Sequence, residues 1–117
     1  MAAIHIKRIY LPAEKSDGVR ILVDRLWPRG ISKSSANLDL WLKDIATPTA
    51  LRQWFHSSNG TGKWTQFKAK YLVELAQNRS VEELKDIVGQ NDTVTLLYAV
   101  NDEDHNHALI LKEFITG

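Results

Sequence analysis

The 117-residue chain contains no cysteine, which excludes disulfide bonds, thiolate metal sites and cysteine nucleophiles. It also lacks any run of about 18 apolar residues, the length that a membrane-spanning helix needs. Residues 1–7 do not form the apolar stretch of a signal peptide. The net charge of +1 supplies no strong field toward nucleic acid or a membrane surface. We therefore expect a cytoplasmic protein with neither nucleic acid nor a membrane as its partner.

The residues that are present have the composition of a folded globular protein, with 44% hydrophobic and 25% charged residues. The length is typical of one domain, so residues 1–117 are predicted to form a single domain. The charges are unevenly distributed. Residues 1–43 carry eight bases and four acids, a net charge of +4, whereas the remainder carries seven bases and ten acids, a net charge of −3. The positive charge of residues 1–43 indicates a site for an anion. The alternative is that the charges are distributed unevenly by chance.

Three segments have the pattern of β-strands. Residues 4–9 alternate apolar and polar side chains, as a half-buried strand does. Residues 19–23 and 93–100 are rich in β-branched residues and apolar on both faces, which is typical of central strands in an α/β sheet. Because residues 10–18 are too few for a helical crossover, we expect the first two strands to pair antiparallel. The two buried strands are separated by several helices and should run parallel.

Five segments have the pattern of helices, residues 38–45, 48–55, 63–77, 80–88 and 106–115. The first is predicted to be capped by Asn37 or Asp39, and the second to begin at Thr47. Ser80 opens a capping box and Gly89 closes that helix. Residues 31–36 and 57–62 are predicted loops. The predicted fold class is α/β, a small single-domain sheet of about three to four strands, partly parallel, covered by about five helices.

The four tryptophans differ in their predicted positions. Trp41 and Trp64 lie on apolar helical stripes, and Trp54 adjoins another aromatic residue, so all three are predicted to be core. Only Trp27 lies in a loop, between a carboxylate and an arginine. The position of this one ring therefore separates a binding site from a structural brace.

Polar segments follow both buried strands, at residues 24–30 and 101–107. Ligands of open α/β sheets bind beyond the carboxyl ends of the strands, and the ends of neighbouring parallel strands face each other. The first segment offers the Asp24 carboxylate, the Arg25 and Arg29 guanidinium groups, which suit oxyanions, and the Trp27 ring. The alternative is an ion pair of Asp24 with an arginine that braces the loop, with Trp27 in the core.

The second polar segment ends at the start of a predicted helix, where unpaired backbone N–H groups favour anions. His107 in the first turn is a candidate acid or base near neutral pH. The alternative is that Asn106 or Asp104 caps the helix and the histidines lie at the surface. Tyr98, in the last buried strand, lies either under the site or in the ordinary core.

A metal site is a third interpretation of the second segment, with His105 and His107 as ligands and Asp102, Asp104 or Asp24 beside them. A two-residue spacing puts both rings on one face of a strand but on opposite sides of a helix, and this pair falls at a helix start. We therefore predict neither a metal nor a cofactor.

Several motifs resemble a known family. The segments VRILVDRLWPRG, WLKDIA, LRQWFH, TLLYA and HNHA, in this order, closely resemble the pattern of the bacterial domain of unknown function 488 family, in its short YeaO-like branch, as do Tyr71 and Glu74-Leu75. The resemblance extends from about Lys7 to Phe114 and implies a small cytoplasmic α/β protein, but it supplies no catalytic residues. The positions of the pattern are Arg8, Asp24, Arg25, Trp27, Arg29, Lys43, Arg52, His56, Tyr98, Asn106 and His107. The chain departs from the usual Ala-Pro-Ser at Ala46–Thr49.

Three functional hypotheses follow. The first is a pocket for a small anionic molecule, nucleotide-like or sugar-phosphate-like, and its enzymatic form is a hydrolase or transferase. Its residues would be Arg25 and Arg29 on the anion, assisted by Arg8, Lys43 or Arg52, with Trp27 as a wall, Asp24 and His107 as acid and base, Asn106 as an orienting amide and Tyr98 below. The second is a non-catalytic module that binds protein or single-stranded nucleic acid through charge and exposed tryptophans. The third is a metal-dependent hydrolase.

Overall fold

The computed structural model describes residues 3–56, 63–100 and 106–116. Within these residues there are four strands, β1 (Ala3–Arg8), β2 (Val19–Leu22), β3 (Leu40–Trp41) and β4 (Thr93–Tyr98). They form one parallel sheet in the order β1-β4-β2-β3. All four strands therefore end at the same edge of the sheet, which we call the carboxyl edge.

Five helices accompany the sheet in the described residues: α1 (Lys33–Ala36), α2 (Thr49–His56), α3 (Trp64–Ala76), α4 (Ser80–Gln90) and α5 (His107–Thr116). The predicted α/β class is confirmed, as are the parallel run of the two buried strands and the four later helices, whose bounds shift by one or two residues. None of the described helices is both long enough and apolar enough to cross a membrane.

The expected antiparallel pairing of the first two strands is wrong. β4 lies between β1 and β2, and both pair with it in parallel, with Lys7 and Leu22 opposite Leu97. Residues 9–18, which we call the return segment, lead from the end of β1 back to the start of β2. They contain a turn and one 3-10 turn, Lys15–Asp17. Ten residues can span about 33 Å and a six-residue strand is only about 20 Å long, so the return needs no helix.

The predicted helix over residues 38–45 is also wrong, because this segment pairs with the free side of β2. Leu40 and Trp41 form β3 opposite Ile21 and Leu22, and Leu42 N–H continues the ladder to Leu22 O at 2.9 Å. The helical spacing of the apolar residues is overridden by the hydrogen bonds that β2 offers. Trp41 consequently lies on a strand and not on a helical stripe.

The expected loop at residues 31–36 contains α1. The Ser32 hydroxyl accepts the Ser35 N–H at 3.1 Å, and a reciprocal contact from the Ser35 side chain completes a capping box. Asn37 ends this helix in the left-handed conformation at φ 49°. Asn37 therefore closes one helix, where the sequence predicted that it opens another.

Two other predicted caps differ as well. The Thr47 hydroxyl makes no hydrogen bond within the described residues, and Arg52 N–H donates to Pro48 O at the start of α2. Ser80 is the first residue of α4, its N–H is accepted by Asn78 Oδ1 at 2.9 Å, and the helix continues beyond Gly89 to Gln90. Local capping motifs thus located these helices but not their terminal contacts.

The core covers both faces of the sheet, as the apolar β2 and β4 segments predict. Alternate residues of these strands point to opposite faces, so Ile21 and Leu96 join the larger cluster and Leu22 and Leu97 the smaller one. Helices α2 to α5 pack on the larger cluster, whose fully buried members include Tyr71, Leu75, Leu84, Ile110 and Leu111. Trp54 and Trp64 are half-buried against it, and Trp27 and Trp41 are half-buried against the smaller cluster.

A buried ion network ties the return segment to the sheet. Asp17 and Arg20 are 6% and 5% exposed and form an ion pair, and Lys7 Nζ lies 3.1 Å from Asp17 Oδ1. Arg20 also donates to Asn37 O and Ala36 O, both at 3.0 Å. Burial alone would raise the pKa of Asp17, but the Glu14 N–H together with the Lys7 and Arg20 cations outweighs it, so the pKa lies below its usual value of 3.8.

We expect Asp17→Asn to lower the free energy of unfolding at pH 7 by about 3 kcal/mol, because it leaves the buried Arg20 without its carboxylate and removes one of the two carboxylates near Lys7. The stabilising effect of Asp17 is complete above about pH 4 and is lost as the pH falls through its lowered pKa. Urea unfolding at pH 7 and near pH 2 should therefore show that the variant and the wild type converge in acid. Asp86→Asn, at an exposed position of α4, is the control, and a gap that stays constant with pH would contradict the assignment.

Candidate functional site

The ends of β1, β4, β2 and β3 lie side by side along the carboxyl edge. Beyond the last paired residues, Val23 N–H donates to Leu97 O at 3.0 Å, and Ala99 N–H donates to Asp24 Oδ2 at 3.0 Å. The Asp24 carboxylate thus takes the place that a backbone carbonyl occupies in a ladder. This contact joins the first polar segment of the sequence to the end of β4.

Asp24 and His107 lie in direct contact. His107 is the first residue of α5, and its Nε2 is 2.8 Å from Val23 O and 3.2 Å from Asp24 Oδ1. Because a carbonyl oxygen can only accept, Nε2 carries a proton. Both side chains are largely buried, with 14% and 13% exposed. The two predicted acid and base residues therefore form one pair that couples the end of β2 to the start of α5.

Arg25 extends from the same loop to the segment before α2. Its Nη2 donates to Ala46 O at 3.2 Å, and its Nε lies 3.5 Å from Thr47 O, the outer limit of a hydrogen bond. Its Nη1 makes no hydrogen bond within the described ranges. The guanidinium is thus anchored at one side and keeps donors at the other.

Tyr71 of α3 completes the floor of the site. Its hydroxyl is fully buried and donates to Ile45 O at 2.7 Å, and its ring meets the His107 ring edge-on at 6.3 Å. Burial raises the pKa of Tyr71 far above its usual value; the Arg25 cation opposes this effect and the Asp24 carboxylate adds to it. Tyr71 therefore remains a neutral donor. The sequence places Tyr71 in the predicted helix over residues 63–77, and the need of a buried tyrosine hydroxyl for a partner was the signal for a polar neighbour.

Two buried side-chain oxygens at this edge have no hydrogen-bond partner within the described residues. They are Asp24 Oδ1 and Thr47 Oγ1, and Thr47 is only 5% exposed. The proton on His107 Nε2 is directed at Val23 O, so Asp24 Oδ1 lies within ion-pair distance of it without a hydrogen bond. Buried polar atoms in native proteins are nearly always partnered, so both oxygens indicate a missing donor or acceptor.

The two tryptophans beside the site are held by backbone carbonyls. Trp27 Nε1 donates to Ile31 O at 2.7 Å and Trp41 Nε1 to Asp24 O at 2.6 Å. Their rings pack edge to face at 5.3 Å, and Lys43 Nζ lies 5.4 Å from the Trp41 ring centre. This arrangement fixes the shape of the loop after β2 and sets Lys43 at the end of β3.

A third group of contacts spans β1 and the loop after β2. Arg8 donates to Val100 O at 3.1 Å and to Ala99 O at 3.3 Å, and its guanidinium lies 5.2 Å from the Tyr10 ring centre. The Tyr10 hydroxyl donates to Arg29 O at 3.0 Å. The Arg29 side chain is exposed and, in the described part of the chain, forms no ion pair or hydrogen bond.

The other candidate residues occupy separate positions. Asn106 is buried and its Oδ1 accepts the Leu109 N–H at 2.9 Å, so it caps α5. Tyr98 is buried in the larger cluster and pairs with Arg8 of β1, and Arg52 is exposed on α2. The segments 57–62 and 101–105 and the side chain of His56 lie outside the described residues.

The metal hypothesis receives no support from the described residues, among which no group of three or more histidines or acids is arranged to hold a metal ion. Asp102, Asp104 and His105, which that hypothesis also requires, lie outside them. Asp24 and His107 are only two side chains, fewer than the three that such a metal-binding group requires.

Comparison with known proteins identifies the family. The chain is 44% identical over 112 residues to the uncharacterized protein YeaO of Escherichia coli K12, covering 96% of each chain. It is 32% identical over 114 residues to the uncharacterized protein Mb3100c of Mycobacterium bovis, covering 97% of this chain and 94% of the other. No solved structure matches the chain significantly. The family model described as the inactive DUF488-N3 subclade matches residues 3–117, and the chain belongs to this family, DUF488-N3i.

Proposed function

We propose that this protein is a cytoplasmic binding protein whose carboxyl edge takes up a small molecule through its anionic group without transforming it. The observation that supports this most strongly is the set of cations along the edge. Arg8 ends β1, Arg25 and Arg29 follow β2, and Lys43 follows β3. Positively charged residues thus lie at the ends of three of the four strands, along the carboxyl edge.

The available donors suit an oxyanion. Arg25 is fixed through Nε and Nη2, while its Nη1 is not used by the described residues. A guanidinium held at one side presents its remaining N–H groups in a defined direction, which favours a phosphate or carboxylate. Arg29 is exposed and can approach the same ligand. The start of α5 lies at this edge too, and a helix N-terminus adds to the attraction of an anion.

The contacts of Asp24 and His107 favour binding over catalysis. A general acid or base must exchange its proton with a reacting group. Asp24 Oδ2 is committed to Ala99 N–H, and the His107 Nε2 proton is committed to Val23 O. The description of the matching subclade as inactive supports the same proposal.

The tryptophans favour a small ligand over a macromolecular partner. Binding of protein or single-stranded nucleic acid by stacking requires exposed rings. All four tryptophans are half-buried and pack against the two core clusters. The nearly neutral charge of the whole chain provides no compensating attraction to nucleic acid.

We expect Arg29→Met to weaken the binding of inorganic phosphate by about tenfold, since a charge-assisted hydrogen bond contributes about 1.5–3 kcal/mol. The measurement is an NMR titration of the backbone amides at low ionic strength, in which the signals of residues 24–30 should shift. Lys15→Met removes an exposed cation from the return segment and serves as the control with unchanged affinity. Phosphate that shifts no signal at the carboxyl edge at up to about 10 mM would disprove the proposal.

We also expect Asp24→Asn to lower the free energy of unfolding by about 2 kcal/mol, because the amide would turn an N–H toward either the Ala99 N–H or the His107 Nε2–H. Urea unfolding at pH 7 measures this loss. Asp44→Asn is the matched control, since Asp44 is an exposed aspartate of the neighbouring segment. Equal stability of the two variants would show that the Asp24 contacts do not brace the edge.

A further inference from the structure

We infer, on the basis of the proposed anion site, that its ligand also carries a hydroxyl group, as a polyol phosphate or a sugar phosphate does, and that Asp24 and Thr47 bind this hydroxyl. The inference depends on the two buried oxygens that have no hydrogen-bond partner within the described residues. Asp24 precedes Arg25 in the chain and Thr47 lies beside its guanidinium, to which the anion is assigned.

Asp24 Oδ1 requires a hydrogen-bond donor. The other carboxylate oxygen is satisfied by Ala99 N–H, and His107 Nε2, which lies 3.2 Å from Oδ1, is directed at Val23 O. A phosphate or carboxylate would be repelled by this buried carboxylate. A hydroxyl group carries no charge and donates a hydrogen bond, so it is the ligand group that fits this oxygen.

Thr47 Oγ1 fits the same chemistry. Thr47 is only 5% exposed. Its hydroxyl can both donate a hydrogen bond to a ligand hydroxyl and accept one from it. The carbonyl of Thr47 lies 3.5 Å from Arg25 Nε, so the residue adjoins the guanidinium. A threonine buried without a partner destabilises the folded protein, which is consistent with a ligand that supplies the partner.

Arg25 adjoins the two residues that carry these oxygens, Asp24 and Thr47. It follows Asp24 directly in the chain, and its side chain reaches the carbonyls of Ala46 and Thr47. An anion bound to the remaining Arg25 donors would therefore adjoin one residue whose carboxylate accepts and another whose hydroxyl does both. A ligand with hydroxyl groups a few bonds from its phosphate uses all three residues together.

The test compares two ligands of equal charge and chain length, glycerol 3-phosphate and propyl phosphate, by calorimetry on the full chain. We expect glycerol 3-phosphate to bind about tenfold or more tightly, because a site built to bind a hydroxyl discriminates strongly against the analogue that lacks it. In Thr47→Val the preference should fall below about threefold, with the affinity for propyl phosphate unchanged. Thr49→Val, at an exposed position two residues later, should retain the full preference.

Thr47→Val is nearly isosteric and removes an unpartnered hydroxyl, so its unfolding midpoint should equal or exceed that of the wild type. Equal affinities for the two phosphates would overturn the hydroxyl assignment and leave the anion site standing. An undiminished preference in Thr47→Val would overturn the role of Thr47. If neither phosphate nor inorganic phosphate binds at up to about 10 mM, the proposed function and this inference both fail.

Discussion

The parallel pairing of β2 with β4 is the contact from which both the core and the carboxyl edge are built. It places Ile21 beside Leu96 and Leu22 beside Leu97, so that one pair of strands fills both hydrophobic clusters. The ladder then continues past the strands and ends on the Asp24 carboxylate in place of a carbonyl. Because a carboxylate has a second oxygen, the end of the ladder leaves an acceptor at the carboxyl edge.

The sequence predicts this part of the molecule because the information is local. Two uninterrupted apolar runs identify buried strands, intervening helices require them to run parallel, and polar residues at both ends then meet at one edge. The placement of Asp24 next to His107 follows from that reasoning. The central position of β4 does not follow, because the short connection between β1 and β2 is equally compatible with direct pairing and with a return across the sheet.

β3 illustrates the opposite case, in which a local pattern competes with a distant partner. Leu38, Trp41 and Leu42 have helical spacing, yet Leu40 and Trp41 pair with β2 because its outer side would otherwise leave backbone groups unpaired. The return segment is similar: charges at Lys7, Asp17 and Arg20 are unremarkable until the chain crosses the sheet and buries them together. No window of sequence contains the information for either contact.

The arginines show why a site is harder to predict than a fold. Arg20 directs Nε, Nη1 and Nη2 to Asn37, Asp17 and Ala36, so its guanidinium is a structural brace. Arg25 directs only one side of its guanidinium to the protein. In the sequence, the residues that precede Arg20 and Arg25 do not show which of the two arginines is the structural brace. The difference lies in how many donors the folded protein leaves unused, which depends on carbonyls about 20 residues away.

The same distinction applies to the pair of Asp24 and His107. A carboxylate beside an imidazole resembles catalytic machinery, but each group here holds a different element: Asp24 holds the end of β4 and His107 holds the end of β2 against α5. Contacts of this kind stabilise the edge whether or not a reaction takes place. The proton on Nε2 is donated to a backbone carbonyl, and Asp24 Oδ1 has no hydrogen-bond partner within the described residues. The Arg25 donors, that one oxygen and the Thr47 hydroxyl are the groups on which the proposed recognition of a hydroxylated anion depends.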